Sequence, residues 1–143
     1  MQIDRFRGEY EFLSNFAPTM LEYEGVLFTS VEAAFQAVKT HDIELRRRIA
    51  RYTPSEAKRA GRKLKLRSDW ESVKENIMYE LLQQKFKDDT FGYRTKLLAT
   101  GDSELIEGNH HGDTYWGTVN GEGRNRLGKL LMKLRKEIKD GNT

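Results

Sequence analysis

Glu32 and two polar residues spaced after it are the first candidates for chemistry. Gln36 and Lys39 follow Glu32 by four and seven positions, so a helix would place all three side chains on one face. The neighbouring stripe of that helix is apolar, which would put Glu32 at the edge of a core. A carboxylate in such a place can stabilise the positive charge that develops on a ribose ring when an N-glycosidic bond breaks.

A second candidate is the segment from Asp113 to Gly117, in which an acid stands beside large aromatic residues. The indole of Trp116 could stack on a flat heterocycle, and the carboxylate of Asp113 could reach a ribose hydroxyl or an attacking water. Trp70 is the candidate for the other wall of such a site. Two carboxyl groups and stacking surfaces would suffice to hold a base and cleave it from a sugar.

Each of these residues also has a purely structural interpretation. Glu32 can be the third helical residue of a capping box that begins at Thr29, with Gln36 and Lys39 facing solvent. Tryptophans in a small domain are more often core residues than stacking platforms. Asn15 could hydrogen-bond a sugar, although a polar residue between aromatics most often closes a turn. Residue types and spacing alone leave both interpretations open.

The glycine-rich stretch from Gly117 to Gly128 matches neither a dinucleotide-binding fingerprint nor a P-loop. It leads into a helix start near Asn125, with Arg124 and Arg126 on either side. Backbone N–H groups, the helix dipole and two guanidinium groups would together form a phosphate seat. The alternative is an asparagine cap that follows a solvent-exposed loop.

A basic segment runs from Arg46 to Arg67. It contains ten basic residues and one acid, Glu56, so it carries +9 and leaves −6 for the rest of a chain whose net charge is +3. Such a segment could bind the phosphates of a nucleotide or of a nucleic acid backbone. A pair of solvated helix faces would have the same composition.

Composition excludes several classes of protein. A chain of 143 residues, 37% of them hydrophobic, has room for one core, and no stretch approaches the roughly 20 apolar residues of a membrane span. The charged start predicts no secretory signal, and the lack of cysteine fits a reducing compartment, so we expect a cytoplasmic protein. His41, His110 and His111 lack metal-ligand spacing, so neither metal nor cofactor is expected. We expect a monomer or weak oligomer.

Local signals predict the elements that must position these residues. The segment Phe6 to Phe28 reads as short strands and turns, including a hairpin over Met20–Phe28 that turns at Glu24 and Gly25. Helix starts are predicted where Ser or Thr precedes Glu by three positions; they are Thr29, Thr53, which is followed by Pro54, and Ser68.

The second half of the chain is predicted to be mainly helical. The helix from Ser68 should end near Phe86, and others should cover Thr90–Ala99 and the leucine stripe Leu127–Ile138, with a short strand at Leu105–Glu107. No strand–helix–strand alternation is present. The sum is a single mostly helical α+β domain over residues 1–143, with a small antiparallel sheet from the N-terminal third.

Five motifs, in their order and spacing, resemble the YbiA-like, or NADAR, family. They are Phe12-Leu13-Ser14-Asn15-Phe16, the stretch Thr29–Lys39, Asp69-Trp70-Glu71-Ser72-Val73-Lys74-Glu75, Tyr115-Trp116-Gly117 and Asn125-Arg126-Leu127-Gly128. Members of this family are N-glycosidases. Some hydrolyse early riboflavin-pathway intermediates and release ribose 5-phosphate and a pyrimidine, and others remove ADP-ribose from guanine bases of nucleic acid.

The resemblance implies roles for individual residues. Glu32 would be the principal catalytic carboxylate and Asp113 its partner. Lys39 would pair with phosphate, or attack C1 of the ring-opened sugar as a Schiff base. The substrate-binding residues would be Asn15, Gln36, Trp70, Trp116, Gly117, Arg124 and Asn125.

Three functions remain open from the sequence. The first is hydrolysis of a small ribosyl phosphate, with a riboflavin-pathway ribosylamino-pyrimidine 5′-phosphate as the favoured substrate. The second is removal of ADP-ribose from guanine bases in DNA or RNA, in which the basic segment 46–67 would contact the backbone. The third is a non-catalytic module that binds ADP-ribose or NAD.

Overall fold

The computed structural model describes residues 1–142. In chain order the strands are β1 (Gln2–Ile3), β2 (Pro18–Tyr23), β3 (Val26–Ser30) and β4 (Glu104–Leu105). The α-helices are α1 (Val31–Ala37), α2 (Ile43–Ile49), α3 (Pro54–Gly61), α4 (Trp70–Lys85), α5 (Tyr93–Ala99) and α6 (Arg126–Lys139). A 3₁₀ helix, Gly8–Leu13, precedes β2 where the sequence predicted only short strands and turns.

The chain divides into two compact units. The prediction of one domain over residues 1–143 stays a prediction. The central unit is Asn15–Lys85, and the terminal unit combines Met1–Ser14 with the chain from Phe86 onward. The central unit therefore contains β2, β3 and α1 to α4, and the terminal unit contains the remaining elements.

The β2–β3 hairpin confirms the predicted antiparallel pair. Tyr23 pairs with Val26, and the turn between them is formed by Glu24 and Gly25, whose φ angles are 47° and 87°. Positive φ at both turn residues is the geometry of a tight hairpin turn, and glycine adopts it without steric cost. Alternate side chains of the two strands are buried, which gives the hairpin one core face.

Helix capping in the central unit confirms one predicted start and corrects another. At α3, Thr53 and Glu56 form the predicted capping box, with bonds of 2.9 and 3.2 Å, and Pro54 is the first helical residue. At α1, the cap is Ser30 and not Thr29, because Thr29 still belongs to β3 and its side chain is exposed. The predicted capping box of Thr29 with Glu32 is therefore wrong.

Helix α4 begins at Trp70, one residue later than a cap at Ser68 would require. The amides of Ser72 and Val73 donate to the carbonyl of Asp69, and Glu71 pairs with Lys74 at 2.6 Å. The helix ends at Lys85, next to the predicted end. In the core of the central unit, α1 packs against α2, α3 and α4. Helix α2, which was not delimited from sequence, is capped by Asp42.

In the terminal unit, α6 packs on the short β4 strand, and β1 pairs with β4 in parallel. Leu131 and Leu134 of the predicted leucine stripe are buried, as expected of a core face. Helix α5 starts at Tyr93 and not at Thr90, because Gly92 adopts a left-handed conformation with a φ of 77°. Strand β4 begins at Glu104, one residue before the predicted start at Leu105.

These elements confirm the predicted α+β fold with a small antiparallel sheet from the N-terminal third. Within residues 1–142, none of the helices combines the length and the hydropathy that a membrane span needs.

Candidate functional site

The start of α1 determines where Glu32 lies. Ser30 accepts a hydrogen bond from the amide of Ala33 at 3.0 Å, so Ser30 is the cap and Glu32 is the second helical residue. The amide of Glu32 donates to the carbonyl of Asn15 at 3.0 Å. Glu32 is half-buried, and its carboxylate plays no part in a capping box. The interpretation of Glu32 as the third helical residue of a capping box is therefore wrong.

Gln36 holds the carboxylate of Glu32 one helical turn away. Its Nε2 donates to Oε2 of Glu32 at 2.7 Å, and its side chain is only 7% exposed. The expectation that Gln36 would face solvent under the structural interpretation is therefore wrong. A hydrogen bond to an ionised acceptor is short and strong, so it keeps this oxygen in one position.

Lys39 lies just beyond the end of α1, although the sequence predicted it on the same helix face as Glu32 and Gln36. Its Nζ is 5.9 Å from the centre of the Phe35 ring and 6.0 Å from that of Trp70. Burial lowers the pKa of Lys39, and the carboxylate of Glu32 opposes this shift. The positive charge of Arg62 acts in the same direction as burial. A larger fraction of Lys39 is therefore uncharged near neutral pH than for a surface lysine.

Trp70 lies in the contact between α1 and α4. Its side chain is 5% exposed, and its ring packs on Phe35 with centroids 5.0 Å apart and planes tilted by 52°. The observed contacts are those of a core residue that supports the Lys39 side chain. Its predicted role in holding the base stays a prediction.

The main-chain carbonyl of Asn15 contacts Glu32, and its side-chain oxygen is a further possible acceptor. Its Nδ2 lies 3.7 Å from the sulfur of Met78. Its Oδ1 is buried and, among the residues that the structure describes, finds no hydrogen-bond partner. The central unit thus brings together all five of the candidates that lie in it; they are Asn15, Glu32, Gln36, Lys39 and Trp70.

In the terminal unit, Asp113 organises its own loop. Its Oδ1 accepts hydrogen bonds from the amides of Tyr115 at 3.0 Å and Trp116 at 2.9 Å. Oδ1 of Asn109 accepts a hydrogen bond from the amide of Asp113, and Nδ2 of Asn109 donates to the carbonyl of Asp113. One carboxylate oxygen therefore holds the turn that presents the aromatic pair, and the predicted catalytic role of Asp113 stays a prediction.

The aromatic pair of this loop is partly exposed. Trp116 is half-buried and meets Tyr115 edge to face, with centroids 4.9 Å apart. The guanidinium of Arg124 lies 5.2 Å from the centre of the Tyr115 ring. Gly117 is buried, and a Cβ at this position would overlap the side chain of Glu107. Gly117 therefore allows a close approach of two chain segments.

Asn125 is a structural clamp in the described contacts. Its Oδ1 accepts from the amide of Glu107 and its Nδ2 donates to the carbonyl of Leu105, both at 2.9 Å. Amides at the start of α6 are occupied as well, since those of Arg126 and Leu127 donate to loop carbonyls at 3.0 Å. These two amides are therefore not available to a phosphate, and the predicted phosphate seat with Arg124 and Arg126 stays a prediction.

Arg124 lines a cavity of about 570 Å³ that belongs to the terminal unit. Arg5 and Lys129 add positive charge to its lining, and Asp4 and Glu104 add negative charge. Because both signs are present, charge alone does not single out an anionic ligand for this cavity. Within residues 1–142, no group of three His, Cys, Asp or Glu side chains is placed to hold a metal ion.

Sequence reasoning missed two residues near the Glu32 group. Arg62 and Lys74 lie close enough to Lys39 for their charges to lower its pKa. Arg62 was counted in the basic segment, but nothing in the sequence separated it from its basic neighbours. Lys74 follows Trp70 by one helical turn, and that spacing was the available signal.

Comparison with known proteins assigns the family. Residues 4–139 match the NADAR domain. The chain belongs to the NADAR family. The NMR structure of the Escherichia coli protein YbiA has the same fold, with a TM-score of 0.83 and 37% identity, over 99% of this chain and 85% of that protein.

Curated relatives of this NADAR chain are named as enzymes. An N-glycosidase YbiA of Shigella flexneri is 41% identical over 134 residues, which is 91% of this chain and 82% of the relative. A riboflavin biosynthesis protein of Vibrio vulnificus is 35% identical over 133 residues, which is 90% of this chain and 36% of that protein. The family and the named relatives make this chain a glycosidase-type hydrolase.

Proposed function

We propose that this NADAR domain hydrolyses the bond between a phosphorylated ribose and a nitrogen heterocycle, with a riboflavin-pathway ribosylamino-pyrimidine 5′-phosphate as the favoured substrate. The observation that carries the proposal is the half-buried carboxylate of Glu32, held by Gln36 at 2.7 Å. Positioned carboxylates stabilise a developing ribosyl cation because they require no reorganisation at the moment of reaction.

The reaction breaks the bond from C1 to nitrogen. The bonding electron pair leaves with the heterocycle, and the ribose ring becomes cationic at C1 and its ring oxygen. The carboxylate of Glu32 would stabilise this cation or accept a proton from the attacking water. The water oxygen then bonds to C1, and its proton balances the one taken up by the leaving base.

Two roles for Lys39 follow from its surroundings. Arg62 and Lys74 add their positive charge close to Lys39, and such a group suits the phosphate of the substrate. Burial also lowers the pKa of Lys39, so its amine could attack C1 of the ring-opened sugar and displace the heterocycle, which leaves as its free amine with the two protons that the lysine nitrogen gives up as the Schiff base forms. The protein must then hydrolyse that Schiff base to free the sugar.

The relatives favour the small substrate. A curated relative of similar length is named an N-glycosidase, and another relative is named a riboflavin biosynthesis protein. Because the chain covers 36% of the latter, it corresponds to only a part of that protein.

The second candidate is removal of ADP-ribose from a base within nucleic acid. Many basic side chains of the 46–67 segment are exposed; they include Arg47, Arg48, Arg51, Arg59, Arg62, Lys63 and Lys65. Cations on α2, α3 and the following loop could contact several phosphates of a strand.

One experiment separates these functions. The protein is incubated with ribosylamino-pyrimidine 5′-phosphates and, separately, with ADP-ribosylated oligonucleotides, and free base and sugar are measured by mass spectrometry. Release of pyrimidine and ribose 5-phosphate would support the proposal, and release from the oligonucleotide alone would favour the second candidate. Tight binding of ADP-ribose without release of any base would identify a non-catalytic module and overturn both.

A further inference from the structure

Gly61, the last residue of α3, lies directly against the side chain of Gln36. Gly61 is buried, and a Cβ built on its backbone would overlap Oε1 of Gln36 and come within 2.6 Å of its Cδ. Both contacts are far closer than those that real Cβ atoms make. Gln36 and a side chain at position 61 therefore cannot both occupy their present places.

The backbone conformation does not explain this glycine. Gly61 does not have a positive φ, unlike the glycines of the turns, and it lies in regular helix. Alanine is favoured over glycine inside a helix, so the chain forgoes local stability at this position. The contact with Gln36 accounts for the absence of a side chain.

The other end of the same carboxamide holds Glu32. Nε2 of Gln36 donates to the Glu32 carboxylate, whereas Oε1 of Gln36 is buried and finds no hydrogen-bond partner in residues 1–142. No acceptor bond therefore fixes the Oε1 end of the amide. Oε1 lies close against the bare backbone of Gly61, so this contact limits where the amide can move.

We propose that Gly61 is a positioning residue for the glycosidase reaction: it leaves the space in which Gln36 holds the Glu32 carboxylate. This inference rests on the proposed role of Glu32. A methyl group at position 61 forces the Gln36 carboxamide to rotate or withdraw, and Glu32 then loses its charged hydrogen bond. A bond of that kind corresponds to a rate loss of about tenfold to a hundredfold.

The test is a double-mutant cycle on turnover. In the otherwise native chain, Gly61→Ala should lower kcat by about tenfold to a hundredfold, while KM changes little and Tm stays the same or rises. In the Gln36→Ala background there is room for the added methyl group, so Gly61→Ala should cause no further loss. An equal loss in both backgrounds, or no loss in the native one, overturns the inference.

A neighbouring variant controls for added volume in α3. Ala60→Ser adds one heavy atom one position earlier, where the side chain is half-buried, and should leave kcat unchanged. A fall in kcat at an unchanged KM is a readout that a general folding defect would not produce.

A second measurement does not depend on activity. The side-chain amide signals of Gln36, identified in a ¹H–¹⁵N spectrum by their loss in Gln36→Ala, should move in both Gly61→Ala and Glu32→Gln. If these signals move but the native protein releases no base, the proposed function fails and the contact stands. If the native protein is active and Gly61→Ala changes neither signals nor kcat, the inference alone fails.

Discussion

Nε2 of Gln36 lies 2.7 Å from Oε2 of Glu32, across one turn of α1. This bond distinguishes Glu32 from the other acidic residues in first helical turns, such as Glu44 and Glu71, which are exposed and pair with basic residues of their own helices. A neutral donor from the same helix therefore contributes to holding the carboxylate of Glu32.

Glu32→Gln should abolish turnover without unfolding the protein. The amide has the shape of the carboxylate and keeps an oxygen that can accept from Gln36, but it has no negative charge to stabilise a ribosyl cation. We expect kcat to fall by at least about a hundredfold, with Tm within a few degrees of the native value. The matched control is Glu44→Gln, an exposed first-turn acid whose change should leave kcat intact.

Asp113→Asn separates the two roles of Asp113. Asparagine retains an Oδ1 that can accept from the amides of Tyr115 and Trp116, so the turn should survive. If the carboxylate also takes part in catalysis, kcat should fall by about tenfold or more while Tm is unchanged. Asp113→Ala removes the acceptor as well and should lower stability by about 1–2 kcal/mol. Full activity of Asp113→Asn would leave only the structural role.

Two variants and one trapping reaction test Lys39. Arginine retains the charge and removes the amine, whereas methionine removes both. If Lys39 pairs with phosphate, Lys39→Arg should keep a nearly native KM and Lys39→Met should raise it about tenfold. If Lys39 forms a Schiff base, borohydride should fix the sugar to the native chain, visible as an added mass, and both variants should lose the adduct and the activity.

The elements around the site were predictable where their signals are local. The capping box at Thr53 involves residues within one turn, and the hairpin turn at Gly25 needs only its own backbone conformation. The α1 cap was misassigned by one residue because Thr29 and Ser30 carry the same hydroxyl chemistry. Pairing of Ser30 with Pro18 at the end of the hairpin marks where the strand stops, and that contact is not local.

The contacts that give the site its geometry come from residues far apart in the chain. Gly61 meets Gln36 from a different helix, and spacing within α1 could not predict that meeting. The sequence placed Glu32 and Gln36 on one helix face correctly, whereas Lys39 lies beyond the end of α1. Whether that face is buried depends on what packs against it. Asn125 was predicted to bind substrate, and its observed partners are backbone groups 18 and 20 residues away.

Asn125→Ala should therefore act first on stability. The substitution would leave the amide of Glu107 and the carbonyl of Leu105 without their partner in a buried region. We expect a loss of about 2–4 kcal/mol in the free energy of unfolding, measured by urea denaturation. Asn125→Asp is the companion variant, because it keeps the acceptor for Glu107 but cannot donate to Leu105. A variant as stable as the native protein would contradict the clamp.

Lys85 should make stability depend on pH. The side chain is 3% exposed, and burial lowers the pKa of its ammonium group to about 7, from 10.5 in the unfolded chain. Between these two values the unfolded state binds more protons than the folded state, so the free energy of unfolding should rise as the pH increases from about 7 to 10.5. Below about pH 7 the lysine is charged in both states, so its contribution to stability no longer changes with pH.

Lys85→Met removes the titrating group and keeps much of the side-chain volume. The stability of the variant relative to the native protein should therefore fall by about 3–5 kcal/mol as the pH rises from 7 toward 10. Urea denaturation at several pH values measures the difference directly. Lys87→Met, at an exposed position two residues further along, should give a small difference that does not vary with pH. A difference in stability that does not vary with pH would show that Lys85 has the same charge in the folded and unfolded states over this range. Burial would then not lower its pKa.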